Sequence, residues 1–227
     1  MIGPFALACL DMAGTTVRDD GAVEAAFTSA LAAVGIDEGS PRFDAAQAVV
    51  RRTMGWSKAD VFATLLEPGE VAEATAAFAA AYEAIVASGA VSEIPGAVGV
   101  LRDLRAAGVA VCLTTGFAPS TRDALLDALG WRSEIDLALS PADVGRGRPA
   151  PDLVLGAMAR QGVEDPGAVV VVGDTVSDLE AGNAAGAGAV VGVLSGAHDE
   201  ATLSAASPTA VIADVTELVA LLRRADH

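Results

Sequence analysis

Five short stretches of this 227-residue chain hold residue types at spacings that chemistry can use. In Leu10-Asp11-Met12-Ala13-Gly14-Thr15-Thr16 a carboxylate closes an apolar run, and a small, turn-forming segment follows. A buried charge in such a place is costly unless something pairs with it. In Val171-Val172-Gly173-Asp174-Thr175-Val176-Ser177-Asp178 the arrangement recurs, with Asp178 on the face of Asp174 if a helix starts there. If both runs are strands of one parallel sheet, the two aspartates meet on a single rim. Hard oxygen ligands gathered there suit Mg²⁺, which takes few carboxylates and keeps several waters.

Thr114-Thr115-Gly116 closes a third apolar run, so the Thr115 hydroxyl and the amides after it can meet a phosphoryl oxygen on the same rim. Gly145-Arg146-Gly147-Arg148-Pro149 is a glycine-rich basic loop, and arginine suits bidentate phosphate binding. The fifth stretch is Met54-Gly55-Trp56-Ser57-Lys58, and Lys58 is the only lysine, beside 13 arginines. Arginine does not deprotonate in proteins, so it cannot serve as an amine nucleophile. Ser57 reads as an N-cap with Asp60 at N3, which puts Lys58 in the first turn of a helix. The helix dipole and burial both disfavour an ammonium there, so a lowered pKa is expected. Other leads fall away. There is no Gly-x-Ser-x-Gly elbow, neither His198 nor His227 has a triad context, and Gly186-Ala187-Gly188 follows a helix where a dinucleotide fingerprint would follow a strand.

The elements that must position these groups are legible as periodicity. Apolar runs recur at 5–10, 109–113, 135–139, 169–172 and 189–194, with 210–212 a weaker sixth. From residue 95 they alternate with helix-length segments at 96–107, 120–129, 151–161, 176–185 and 215–224. Strand–helix alternation with fully apolar strands predicts a doubly wound, Rossmann-like parallel α/β sheet whose ligand site lies beyond the strands' carboxyl ends. Between the first run and Pro95 the pattern is helical, at 23–34, 42–52, 58–66 and 70–88, with no strand predicted. The expected organisation is a core of 1–17 and 93–227 with a helical cap, 18–92, inserted after the first strand.

Composition narrows the function classes. The net charge of -16 leaves no basic stripe for nucleic acid, so an anionic substrate needs a metal or a few placed cations. No apolar run reaches the roughly 20 residues of a membrane span, and no signal peptide is visible. Cys9 and Cys112 both sit in strand-like runs and read as buried free thiols. A cytoplasmic protein acting on a small molecule is expected.

In their order, the strand-end Asp loop, strand-end Thr, basic loop and Gly-Asp-x-x-x-Asp pair resemble the haloacid dehalogenase superfamily over nearly the whole chain. The resemblance is to its phosphonatase branch. Superfamily phosphatases place a second Asp two positions after the nucleophile, where this chain has Ala13; Asp-x-Ala-Gly-Thr-Thr, Gly-Arg-Pro around Arg148, and Met-Gly-x-x-Lys ending at Lys58 look like the branch's forms. The resemblance implies Asp11 as nucleophile, and Lys58 as an amine forming a Schiff base with a carbonyl substrate. It further implies that Thr115, Gly116 and Arg148 hold phosphoryl oxygens. Mg²⁺ would be bound by Asp11, Asp174 and the Ala13 carbonyl, with Asp178 in support. Met54, Gly55 and Thr15 are expected to contact substrate, and a homodimer is implied. An imine is an electron sink for a carbanion leaving group, so Ala13 and Lys58 fit one mechanism. Val61, Phe117 and Ala22 or Val23 stand where the branch carries His, Tyr and Cys, which leaves a relative of phosphonoacetaldehyde open as substrate. The second reading is a phosphatase or phosphomutase of a small phosphate ester.

Overall fold

Apolar runs without polar alternation call for a sheet covered on both faces. That is the arrangement in this computed structural model, which describes residues 3–224. The extreme ends of the expected core, His227 among them, lie outside the described residues. Strand β1 (Leu7–Asp11) is followed by a two-residue strand β2 (Val17–Arg18), helices α1 (Ala22–Ala33), α2 (Pro41–Arg52), α3 (Lys58–Leu65) and α4 (Pro68–Ala87), and strand β3 (Ser92–Glu93). Then come α5 (Ala97–Ala106), β4 (Ala110–Thr114), α6 (Pro119–Leu129), β5 (Leu137–Leu139), α7 (Asp152–Gln161) and β6 (Val169–Gly173). The chain ends with α8 (Val176–Ala185), β7 (Ala189–Val193), α9 (Glu200–Ala205), β8 (Ala210–Ile212) and α10 (Leu218–Arg224).

Six strands form a parallel sheet in the order β5-β4-β1-β6-β7-β8. With β1 central, successive strands are added outward on either side of it, and the crevice above its end is where such sheets bind ligands. Asp11 stands opposite Thr114, and Leu10 is flanked by Leu113 and Val172, so the ends of β4, β1 and β6 are neighbours on one rim. Alternation across the sheet separates two apolar layers. Ala8 and Leu10 join Leu101, Leu104 and Leu113, whereas Leu7 and Cys9 join Leu153, Val154 and Met158 of α7. Cys9 and Cys112 are register partners and free thiols.

Three of the four inserted helices begin at caps that their sequence supplies. Ser40 caps α2 through the Phe43 amide (3.2 Å) with Pro41 next, Ser57 caps α3 through the Asp60 amide (3.1 Å), and Glu67 and Glu70 form a capping box at α4. The apolar faces of these helices continue the layer above β1, through Met12 and Val17 to Phe27, Phe62 and Phe78. Three features differ from the sequence-based expectation. The stretch before Pro95 is not strand-free: β2 and β3 pair antiparallel, Val17 with Glu93 and Arg18 with Ser92. This ribbon joins the inserted helices to the sheet, and the expected boundaries at 17/18 and 92/93 fall within it. Two residues carry no readable periodicity, so only the tertiary pairing defines these strands. The six-residue α9 was not expected, and the segment at 215–224 opens with a 3₁₀ turn before α10. Among the described residues no helix is long and apolar enough to cross a membrane.

Candidate active site

The sheet rim carries a cluster of three buried carboxylates. Asp11 ends β1, Asp174 follows β6, and Asp178 lies in the first turn of α8; one oxygen of each falls within 4.8 Å of the others. Arg148, also buried, reaches into this cluster, and its Nη1 donates to Asp11 Oδ1 at 2.6 Å and to Asp178 Oδ1. Asp178 also accepts from the Thr175 amide (3.1 Å), so it is held by its own helix start. Asp174 accepts from the Thr15 hydroxyl (3.0 Å) and the Ala197 amide (2.8 Å). Burial, and next the neighbouring Asp11, push the Asp174 carboxyl up to about 7. Three buried carboxylates against one guanidinium leave uncompensated negative charge, and the donors are all hard oxygens, so the residues present fit a divalent cation such as Mg²⁺.

Above the rim lies a cavity of about 570 Å³, with Asp11, Asp174 and Arg148 on the sheet side and Asp19, Met54 and Lys58 on the side of the inserted helices. Thr115, Gly116, Gly55 and Ala13 also border it. Two glycines let the halves touch. A Cβ on Gly116 would collide with the Trp56 carbonyl oxygen, and one on Gly55, whose φ is 86°, would collide with the Thr175 hydroxyl. Through this close approach the Lys58 amide donates to the Gly116 carbonyl (3.3 Å) and the Ser177 hydroxyl to the Met54 carbonyl (2.9 Å).

Lys58 leaves the first turn of α3 and is only 8% exposed. Its Nζ lies 5.4 Å from the ring centroid of Phe27, 5.5 Å from that of Phe78 and 5.2 Å from that of Phe117, and it makes no ion pair among the described residues. Burial first, then the Arg148 charge, pull its pKa down to about 8; Asp11, Asp19 and Asp174 pull the other way. Val61, beside it on α3, is also buried and apolar.

The structure therefore brings Asp11, Ala13, Met54, Gly55, Lys58, Thr115, Gly116, Arg148 and Asp174 to one cavity. Thr15, expected to contact substrate, does not border it. The side chain is fully buried, and its hydroxyl is committed to Asp174. Asp178 stands one layer back, behind Arg148. Sequence reasoning missed the loop after β7. There Ser195 donates to the Gly14 carbonyl (2.7 Å), Gly196 backs so tightly on Asp174 that a Cβ would collide, and His198 Nδ1 accepts from the Val176 amide at the start of α8 (3.0 Å). A Ser-Gly turn directly after a strand of the same sheet was the available signal. Two of the rings around Lys58, Phe27 and Phe78, were also missed, as was Tyr82, the only tyrosine, whose buried hydroxyl has no partner among the described residues and whose ring packs 4.5 Å from that of Phe117.

A parallel sheet with carboxylates gathered on its switch-point rim is the frame of an α/β enzyme. The family of haloacid dehalogenase-like hydrolases matches residues 5–186, and the chain belongs to it. A probable phosphatase, IndB, of Dickeya dadantii (strain 3937) is 30% identical over 218 residues, covering 94% of this chain and 91% of that protein. A phosphonoacetaldehyde hydrolase of Bacteroides fragilis is 37% identical over 92 residues, which span 39% of this chain and 34% of that enzyme. Among solved structures, a hydrolase from Pseudomonas syringae superposes with a TM-score of 0.84 at 26% identity, over 96% of this chain and 98% of that one. A phosphonoacetaldehyde hydrolase-like protein from Oleispira antarctica, 24% identical with a TM-score of 0.80, shares the fold over 98% of this chain and 95% of its own.

Proposed function

We propose that this hydrolase cleaves the C–P bond of a small carbonyl phosphonate, phosphonoacetaldehyde or a relative, with Asp11 taking the phosphoryl group and Lys58 activating the carbonyl. The observation that carries the reading is Lys58: a buried amine on the cavity wall opposite Asp11, ringed by aromatics, without an ion-pair partner among the described residues, and with its pKa at about 8. An amine kept only to bind phosphate gains nothing from losing its charge.

In this reading residues 18–92 act as a cap that closes the cavity. The Lys58 amine condenses with the substrate carbonyl and releases water. An Asp11 carboxylate oxygen attacks phosphorus, and the C–P bonding pair moves into the imine to give an enamine. Protonation at carbon and hydrolysis of the imine free the carbonyl product, and water hydrolyses the aspartyl phosphate. Asp11, Asp174 and the Ala13 carbonyl would hold Mg²⁺, with Asp178 in support, and the bound ion supplies charge neutralisation to the phosphoryl oxygens. Arg148 holds Asp11 in place and adds positive charge at the cavity floor, while Thr115 and Gly116 offer donors to the phosphoryl group. Because the leaving group departs as an enamine, Ala13 costs nothing.

The full-length likeness to a probable phosphatase favours a second reading, hydrolysis of a small phosphate ester. An alkoxide leaving group calls for a general acid, and Ala13 offers none at the position where superfamily phosphatases carry it. Product analysis separates the two. Phosphonoacetaldehyde with Mg²⁺ is expected to yield phosphate and acetaldehyde in equal amounts, with kcat/KM reduced at least about 10³-fold in Lys58→Arg, as for loss of a nucleophile. Turnover of phosphate esters alone, indifferent to Lys58→Arg, would establish the second reading.

A further inference from the structure

Imine chemistry needs a group that moves protons beside the amine, and the positions at 61 and 117 are filled by Val and Phe. Among the described residues five carboxylates border the cavity: Asp11, Asp19, Asp20, Glu24 and Asp174. Asp11 and Asp174 belong to the buried cluster on the sheet rim. Asp20 and Glu24 are exposed at the mouth, near the exposed Arg18 and Arg51. His198, in the loop after β7, has its Nδ1 tied to the Val176 amide. Asp19 alone is half-buried in the cavity on the Lys58 side, outside that cluster. Its Oδ1 accepts from the Val23 amide (3.1 Å), which fixes the carboxyl at the start of α1.

From this geometry we infer that Asp19 is the acid–base residue for imine formation and hydrolysis at Lys58, an inference that rests on the C–P reading above. The free Lys58 amine adds its lone pair to the carbonyl carbon as the C=O π pair moves to oxygen, and the Asp19 carboxylate, reaching the nitrogen through water, takes one N–H proton and passes it to that oxygen. The C–O bond then breaks as nitrogen forms C=N, and Asp19 relays the second N–H proton to the departing hydroxyl, which leaves as water. Asp19 ends as it began, and hydrolysis of the product imine runs the same steps in reverse. The electrostatics agree: burial raises the Asp19 pKa, bringing the carboxyl and the lowered Lys58 amine closer together in proton affinity, and each of the two charges acts on the other.

The competing role is a plain helix cap, and Asp19→Asn separates them, because the amide oxygen keeps the bond to Val23 while losing the exchangeable proton. The experiment is time-resolved borohydride trapping with phosphonoacetaldehyde and Mg²⁺ on wild type, Asp19→Asn and Asp19→Glu, with thermal unfolding of each. Trapping is expected to slow about 10²-fold in Asp19→Asn, the scale of general acid–base catalysis, at unchanged Tm, and to recover in Asp19→Glu. Wild-type trapping rates in Asp19→Asn would overturn the inference and leave the role of Lys58 standing. No adduct in wild type would overturn both.

Discussion

An amine attacks a carbonyl only without its proton, and the surroundings of Lys58 decide when that is. Phe27 comes from α1, Phe78 from α4 and Phe117 from the turn after β4, and together they dry the first turn of α3. Burial brings the amine to about 8, so the reactive form grows as pH rises to that value. At saturating Mg²⁺, the rate of imine trapping is expected to climb about tenfold per pH unit below pH 8 and to level off above it. A flat profile from pH 6 to 9 would contradict this. The same shift is a stability statement. The folded pKa lies below the unfolded one, so the unfolded chain binds more protons between about pH 8 and the ordinary value of 10.5. Stability should therefore rise with pH across that window, and chemical denaturation of Lys58→Met should lack the rise. Lys58 itself was legible in the sequence, as the only lysine and by its N-cap. Of its ring neighbours only Phe117 was singled out, by its place in the motif; Phe27 and Phe78 were not, because they arrive from helices distant in the chain.

The elements that carry the rim are those that periodicity reveals best. β1, β4 and β6 are buried on both faces, so their runs are continuously apolar, and the helices start at Ser, Glu and Pro signals that local chemistry requires. What stayed hidden is short or purely tertiary: the β2–β3 ribbon, the six-residue α9, and the docking of the 54–57 turn onto the 115–117 turn. That docking has a sharp requirement at Gly116, where any side chain meets the Trp56 carbonyl. Gly116→Ala should push the two turns apart and reduce kcat/KM by about 10²-fold, as a misplacement of about 1 Å can do. Its Tm should stay close to wild type, because the sheet below is untouched. An Ala variant with full activity would show that the close approach is not needed for turnover.

At the scale of the whole molecule, a chain of net charge -16 concentrates three buried carboxylates on one rim and offsets them with one arginine. Asp174, raised to about 7, holds a proton in the folded apo protein that the unfolded chain gives up nearer 3.8, so apo stability falls as pH rises through 7. A cation reverses that loss. At a Mg²⁺ concentration about a hundredfold above its Kd, linkage adds about 2.7 kcal/mol, raising Tm by roughly 5–11 °C for a chain of this size. The shift should shrink from pH 8 to pH 6 and vanish in Asp174→Asn; an equal shift in that variant would place the ion elsewhere. The cavity above the rim is bordered both by the sheet ends and by the inserted helices, and Lys58 is the test of the proposed reaction there. The most direct measurement is borohydride reduction of the protein with phosphonoacetaldehyde and Mg²⁺, followed by mass spectrometry of the peptide around residue 58. A reduced adduct on Lys58, absent in Lys58→Arg, is the expected result. No adduct there, with hydrolysis of simple phosphate esters that survives Lys58→Arg, would contradict C–P cleavage and leave a phosphatase without its usual acid.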